Sequence, residues 1–134
     1  ETLAADAKVV TVTVNPPATA ADINVAGNDA PFCAGTKATL VASSTTITNP
    51  VFTWYSDAAL TTVVFTGSSF ETPVLTATKT YYVTVRGDNK CENTAATAKT
   101  VTVVVNPPAT AADINVDGAA DPLCSGTSAK LTAT

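Results

Sequence analysis

Cys33, Cys91 and Cys124 carry the most reactive side chains in this chain, in the contexts "PFCAGT", "DNKCEN" and "DPLCSG". Their spacing is far too wide for a CxxC redox or metal motif, and with no histidine in the sequence nothing completes a zinc site. The missing histidine also removes the usual general base and the usual partner of a Ser or Cys nucleophile. No catalytic, cofactor-binding or metal-ligating residue is therefore assigned, and no enzyme activity or cofactor is expected. What the cysteines can do is form disulfides, which points to an oxidising, extracytoplasmic setting. Arg86-Gly87-Asp88 spells a tripeptide that cell-surface receptors read when a loop presents it, yet Gly-Asp-Asn is also ordinary turn chemistry. Asp22, Asn28 and Asp29 offer oxygens of the kind calcium takes, as do Asp113, Asp117 and Asp121. Calcium needs about six to eight of them, and solvated loop carboxylates are the default reading.

These residues recur at a fixed offset. Sliding the chain by 91 residues aligns 1–43 with 92–134, with 28 of those 43 positions identical, and sets Cys33 on Cys124 and Gly35 on Gly126. "NPPATAADINV" occurs twice without a change, at Asn15–Val25 and Asn106–Val116. Identity at one offset is the mark of tandem modules. Ala, Thr and Val make up half of the chain, and Val and Thr favour strands. With 46% of residues apolar and only six glycines, the composition is not that of a disordered tract. A net charge of −4 with only seven basic residues argues against nucleic acid, and no apolar run is long enough for a membrane helix, so no membrane insertion is expected.

Period-2 alternation sets out the strands that must hold these side chains. "TKATLVAS" puts Ala38, Leu40 and Ala42 on one face, and "VFTWYS" pairs Phe52 with Trp54. "TVVFTG" and "SSFETPVL" follow. "TYYVTVRG" aligns Tyr81, Val83 and Val85, leaving Tyr82 on the other face, and "KTVTVVV" aligns Val101, Val103 and Val105. A short strand near Ile23–Val25 precedes them. Seven short strands in about 85 residues read as an all-β, antiparallel two-sheet sandwich. Trp54, Leu75 and Tyr81 are the expected structural core, and the spacing of Leu75, Tyr81, Val83 and Val85 suggests a tyrosine corner, whose hydroxyl bonds back to nearby backbone. Tyr55 and Tyr82 are expected to be exposed. After each Val-rich last strand, Asn-Pro-Pro must stop the ladder, because proline fixes φ and has no N–H, and two prolines favour an extended, stiff connection.

The stretch "CAGTKATLVAS…FTWYSDAALTTVVFTGSSFETPVLTATKTYYVTV…KCENTAATAKTVTVVV" resembles the Ig-like repeats of giant secreted surface proteins of Bacteroidota, including gliding adhesins and proteins exported by the type IX pathway. The shared features are C-x-G-T before the second strand, W-Y in the third, T-Y-Y-V in the sixth and C-E-N after it. The resemblance implies Ig-like sandwiches stacked in long cell-surface filaments, with neighbouring identical modules as partners. The expected organisation is the last strand of a preceding module at 1–14, a Pro-Pro linker at 15–22, a complete module at 23–105, a linker at 106–113 and the start of a following module at 114–134. The expected function is a structural spacer in a surface adhesin or filament; the alternative is a module that itself binds a glycan or host ligand. Cysteine pairing stays open. Spacing favours Cys33–Cys91 within one module, whereas Ig topology sets them at opposite ends and favours bonds between successive modules, Cys124 included; free thiols are the third possibility.

Overall fold

The computed structural model describes residues 8–118 and 122–134. The remainder of the 1–14 segment, and Asp121 of the second carboxylate set, lie outside the described residues. In chain order the strands are β1 (Asn24–Ala26), β2 (Phe32–Cys33), β3 (Thr39–Ser43), β4 (Val51–Tyr55), β5 (Val63–Thr66), β6 (Ser69–Glu71), β7 (Lys79–Arg86), β8 (Lys99–Val103), β9 (Val105–Asn106), β10 (Val116–Asp117) and β11 (Thr132–Ala133). Among the described residues the only helical elements are three-residue 3₁₀ turns, at Ala20–Asp22, Ala95–Thr97 and Ala111–Asp113.

Two antiparallel sheets face each other. One has the order β1-β3-β6 and the other β5-β4-β7-β8. The alternation read from the sequence decides which side chains meet between them. Ala38, Leu40 and Ala42 from one sheet, and Phe52, Trp54, Tyr81, Val83, Val85, Val101 and Val103 from the other, are all buried. Phe70 on β6 is the aromatic centre, with Trp54 at 5.3 Å, Phe65 stacked at 5.7 Å and Tyr81 edge-on at 5.2 Å. Aromatic pairs of this kind contribute about 0.5–1.5 kcal/mol each beyond their buried area. The Trp54 Nε1–H donates to the Gly67 carbonyl at 3.0 Å, so the indole is buried without an unmet donor.

A third pairing is parallel. β2 lies along β9, with Phe32 opposite Val105 and Cys33 opposite Asn106. Phe32 N–H donates to the Val104 carbonyl at 2.8 Å and Ala34 N–H to the Asn106 carbonyl at 3.0 Å. Period-2 reading does not detect a two-residue ladder of this kind.

Three expectations need correction. Tyr81 is buried, but among the described residues its hydroxyl makes no hydrogen bond to backbone; edge-on packing against Phe70 positions the ring instead of a tyrosine corner. Tyr55 and Tyr82, opposite each other on β4 and β7, are half-buried rather than exposed, and the Tyr55 hydroxyl reaches the Glu92 carboxylate at 3.4 Å. The segment 15–22, expected as a linker, packs onto the module: Pro17 bridges to Cys91, Ala18 is fully buried, and Asp22 is buried as well.

The described part of the second copy repeats one pairing of the first. Val116 pairs with Ala133 and Asp117 with Thr132, which repeats, 91 residues on, the pairing of Val25 with Ala42 and Ala26 with Val41. Gly27 and Gly118 both have φ of +95°, and in each a Cβ would run into the carbonyl of the facing strand, so only glycine fits. Burial differs between copies where the facing sheet differs. Val12 is 80% exposed and Val103, at the same repeat position, is 0% exposed.

Candidate functional site

The residues singled out by their chemistry collect at the two ends of the sandwich. β7 runs from Lys79, opposite Val103, to Arg86, opposite Val51. Asn106 and its neighbour Cys33 lie beyond the Lys79 end. Asn15, Pro17 and Cys91 lie beyond the Arg86 end. The chain therefore enters the module at one end and leaves at the other. Eight residues at 3.3 Å put Cys33 and Cys91 roughly 25 Å apart, whereas a disulfide joins Cα atoms within about 7 Å. The strand between them excludes a Cys33–Cys91 bond within one module. All three cysteines are exposed free thiols.

At the incoming end, Cys91 is held through its backbone. Its N–H donates to the Pro16 carbonyl at 3.0 Å and its carbonyl accepts from Ala18 N–H at 2.8 Å. The thiol donates to the Asn15 carbonyl at 3.4 Å. Asn15 Nδ2 donates to the Asp88 carbonyl at 2.9 Å, tying the Asn-Pro-Pro segment to the turn after β7.

That turn contains Arg86-Gly87-Asp88, and the structure uses two of the three as packing. A Cβ on Gly87 would collide with the Ile47 side chain and the Thr48 carbonyl. Asp88 N–H donates to the Thr48 carbonyl at 3.0 Å, and the Asp88 carboxylate accepts from Asn49 Nδ2 at 2.7 Å. Asn89 completes the clasp, accepting from Thr48 N–H and donating to the Thr46 carbonyl, both at 3.0 Å. Arg86 is exposed. The tripeptide is folded back onto the 46–49 loop.

Asp22 sits behind this clasp. Its carboxylate accepts from Thr46 Oγ1 at 2.7 Å, Thr19 N–H at 2.8 Å and Thr19 Oγ1 at 3.0 Å, with the Lys90 ammonium at 3.4 Å. The bond from Thr46, then those from Thr19, hold the carboxyl well below the ordinary carboxylate range, against the opposing effect of burial. Its oxygens are taken up by the protein's own donors, and among the described residues no group of three or more His, Cys, Asp or Glu could hold a metal ion. Asp113 keeps the same turn with Thr110, whose N–H and hydroxyl lower its pKa.

Sequence reasoning passed over Asp22 as a hub, together with Asn15, Lys90 and Asn93. Asn93 is buried, accepts from Val85 N–H at 2.8 Å and donates to the Thr97 carbonyl at 2.7 Å. A signal existed for two of them: Asn15 and Asp22 lie in the unchanged eleven-residue repeat, as Asn106 and Asp113.

At the outgoing end lies an open groove of about 530 Å³ lined in part by Lys37, Phe70, Glu71, Lys79 and Tyr81. Lys37 and Glu71 close one wall with an exposed ion pair at 2.7 Å, a pair of the kind that contributes little to stability. Among the described residues no helix is long and apolar enough to cross a membrane.

Comparison with known proteins agrees with this architecture. Residues 17–107 match the family described as "Ig-like domain CHU_C associated". No curated protein is found to match the chain. The family match covers more than half of the chain, which belongs to this family and has the Ig-like β-sandwich fold.

Proposed function

We propose, with that membership as the premise, that the module is a structural spacer in a long repeat protein outside the cell, forming the stalk of a surface adhesin or a filament. One observation carries this reading. The chain enters at the Cys91 end and leaves at the Cys33 end, through the same eleven-residue junction each time. Identical junctions at opposite ends let modules follow one another at a constant angle, which is how a rod or a gentle helix is built. The repeating unit suggested by the packing runs from Asn15 to Val105, so that each Asn-Pro-Pro belongs to the module it opens as well as to the connection.

The exposed valines fit the same reading. Val10, Val12 and Val14 hold the repeat positions of Val101, Val103 and Val105, which fill the core between two sheets. Ile114 and Leu131 correspond likewise to the buried Ile23 and Leu40. In the proposed array these positions would fill cores like that of the complete module.

Small-angle scattering and electron microscopy on chains of one, two and three repeats test the proposal. Each repeat should add the same length, about 35 Å, from an eight-residue strand at 3.3 Å per residue and a turn at each end. Modules that fold back on one another, giving no steady increment, would refute a spacer.

A further inference from the structure

We propose that Cys33 forms a disulfide with the residue corresponding to Cys91 in the module that follows, so that every junction is covalently braced. The inference rests on the tandem reading and adds to it a specific bond.

The repeat overlays the two ends of one module. Asn15 and Asn106 are the same position of the 91-residue period. At the incoming end, the Cys91 thiol donates to the Asn15 carbonyl at 3.4 Å. At the outgoing end, the Asn106 carbonyl accepts from Ala34 N–H at 3.0 Å, with Cys33 directly opposite Asn106 in the ladder. In a continuous array these become contacts to one and the same carbonyl oxygen. The thiol of the next module and the amide that follows Cys33 would both donate to it.

The two contacts in series hold that thiol no more than about 6.4 Å from the Ala34 nitrogen, which is bonded to the Cys33 carbonyl carbon, so both cysteines meet at one junction, whereas a disulfide closes once the two Cα atoms come within about 7 Å. The neighbouring backbone is fixed on both sides. Cys91 is pinned to Pro16 and Ala18, the counterparts of Pro107 and Ala109, while the residues flanking Cys33 are pinned to Val104 and Asn106. Within one module the nearest alternative partner is a strand length away. Cys124 repeats the local geometry of Cys33: Thr127 Oγ1 donates to its carbonyl at 2.8 Å, as Thr36 Oγ1 does to that of Cys33 at 2.7 Å. Cys124 therefore serves the next junction in the same way.

Formation of the bond oxidises two thiols to one disulfide, releasing two protons and two electrons. A protein dithiol–disulfide oxidase takes them. One cysteine thiolate attacks the oxidase disulfide, the second displaces the oxidase from the mixed disulfide, and the oxidase leaves as its dithiol. Both cysteines are exposed, as this exchange requires.

The test uses the whole chain extended after Thr134 by a second copy of residues 44–134, which keeps the period and supplies a second Cys91. The protein is treated with a purified disulfide oxidase, alkylated and mapped without reduction. One disulfide is expected, from the first Cys33 to the second Cys91, with the remaining cysteines alkylated. C91S in the first copy should leave that bond intact, and C91S in the second copy should abolish it. The two variants make the same local change, so a difference in bonding cannot come from misfolding of the substituted site. Loss of the bond with the first-copy variant, or a full complement of free thiols after oxidation, overturns the proposal. Scattering from the same protein reads the spacer separately. A steady increment in length with all thiols free would overturn the brace alone, whereas a doubled chain that folds back on itself would overturn the tandem reading from which the brace starts.

Discussion

Replacing Trp54 measures how far this sandwich depends on one side chain. The indole is 0% exposed, packs at 5.3 Å against Phe70 and donates its N–H to the Gly67 carbonyl. Trp54→Ala removes the largest buried side chain and leaves a cavity, at a cost of about 3–5 kcal/mol. Trp54→Phe keeps a ring against Phe70 but loses the hydrogen bond, about 1 kcal/mol, and opens a smaller void worth roughly as much again. A unit of this size holds about 5–14 kcal/mol in all, so the alanine variant should be marginal and the phenylalanine variant folded. At roughly 4–8 °C per kcal/mol, Trp54→Phe should lower Tm by about 8–16 °C. The measurement is urea and thermal unfolding followed by circular dichroism. Trp54 is the sole tryptophan, so in the parent its fluorescence should report the same transition. Losses below about 1 kcal/mol for both variants, or an alanine variant no worse than the phenylalanine one, would show that the ring does not hold the sheets together.

Three further outcomes follow from the junction end. Asp22 has a folded-state pKa below its ordinary 3.8, so it adds stability above that value and loses it as pH falls toward the folded pKa; thermal melts from pH 7 to pH 2 should therefore show the gap between parent and Asp22→Asn closing on acidification, and parallel curves would count against the hub. Gly87→Ala forces a methyl into Ile47 and the Thr48 carbonyl and should cost about 1–3 kcal/mol in urea unfolding, whereas a neutral result would free the turn from that contact. Replacing Pro107 and Pro108, the prolines between the two complete modules of a doubled chain, by glycine should lower stability by no more than about 2 kcal/mol, chiefly through the unfolded chain, yet broaden the distribution of module angles in micrographs; an unchanged distribution would mean that the prolines do not stiffen the junction.

The parts of this fold that a reader of the sequence could recover are those where one strand's alternation contains the answer. Ala38, Leu40 and Ala42, or Val101, Val103 and Val105, declare their face within seven residues, because one side of each strand is core and the other is water. The parts that escaped depend on partners distant in sequence. Asp22 meets Lys90 across 68 positions, and no local pattern marks either as the other's neighbour. Ala18 is fully buried, yet alanine between Pro17 and Thr19 has no period to betray it. Phe70 was one phenylalanine among four until the sheets closed around it. The junction was misjudged for a related reason. Two prolines do stop the regular ladder, but their carbonyls still accept hydrogen bonds, and Pro16 uses one to hold Cys91.

The parallel ladder of β2 and β9 bears on what happens when such a chain is pulled. Tension along an array draws Asn106 outward from one end of the module and Asn15 outward from the other. β2, upstream, is then dragged toward its own start while β9 is dragged toward its end. In a parallel pair those displacements slide the strands past each other, and the bonds from Phe32 to Val104 and from Ala34 to Asn106 are loaded together rather than opened in turn. An antiparallel pairing of the same two strands would peel apart like a zip. In the proposed array the small ladder would act as a shear lock across the line of force.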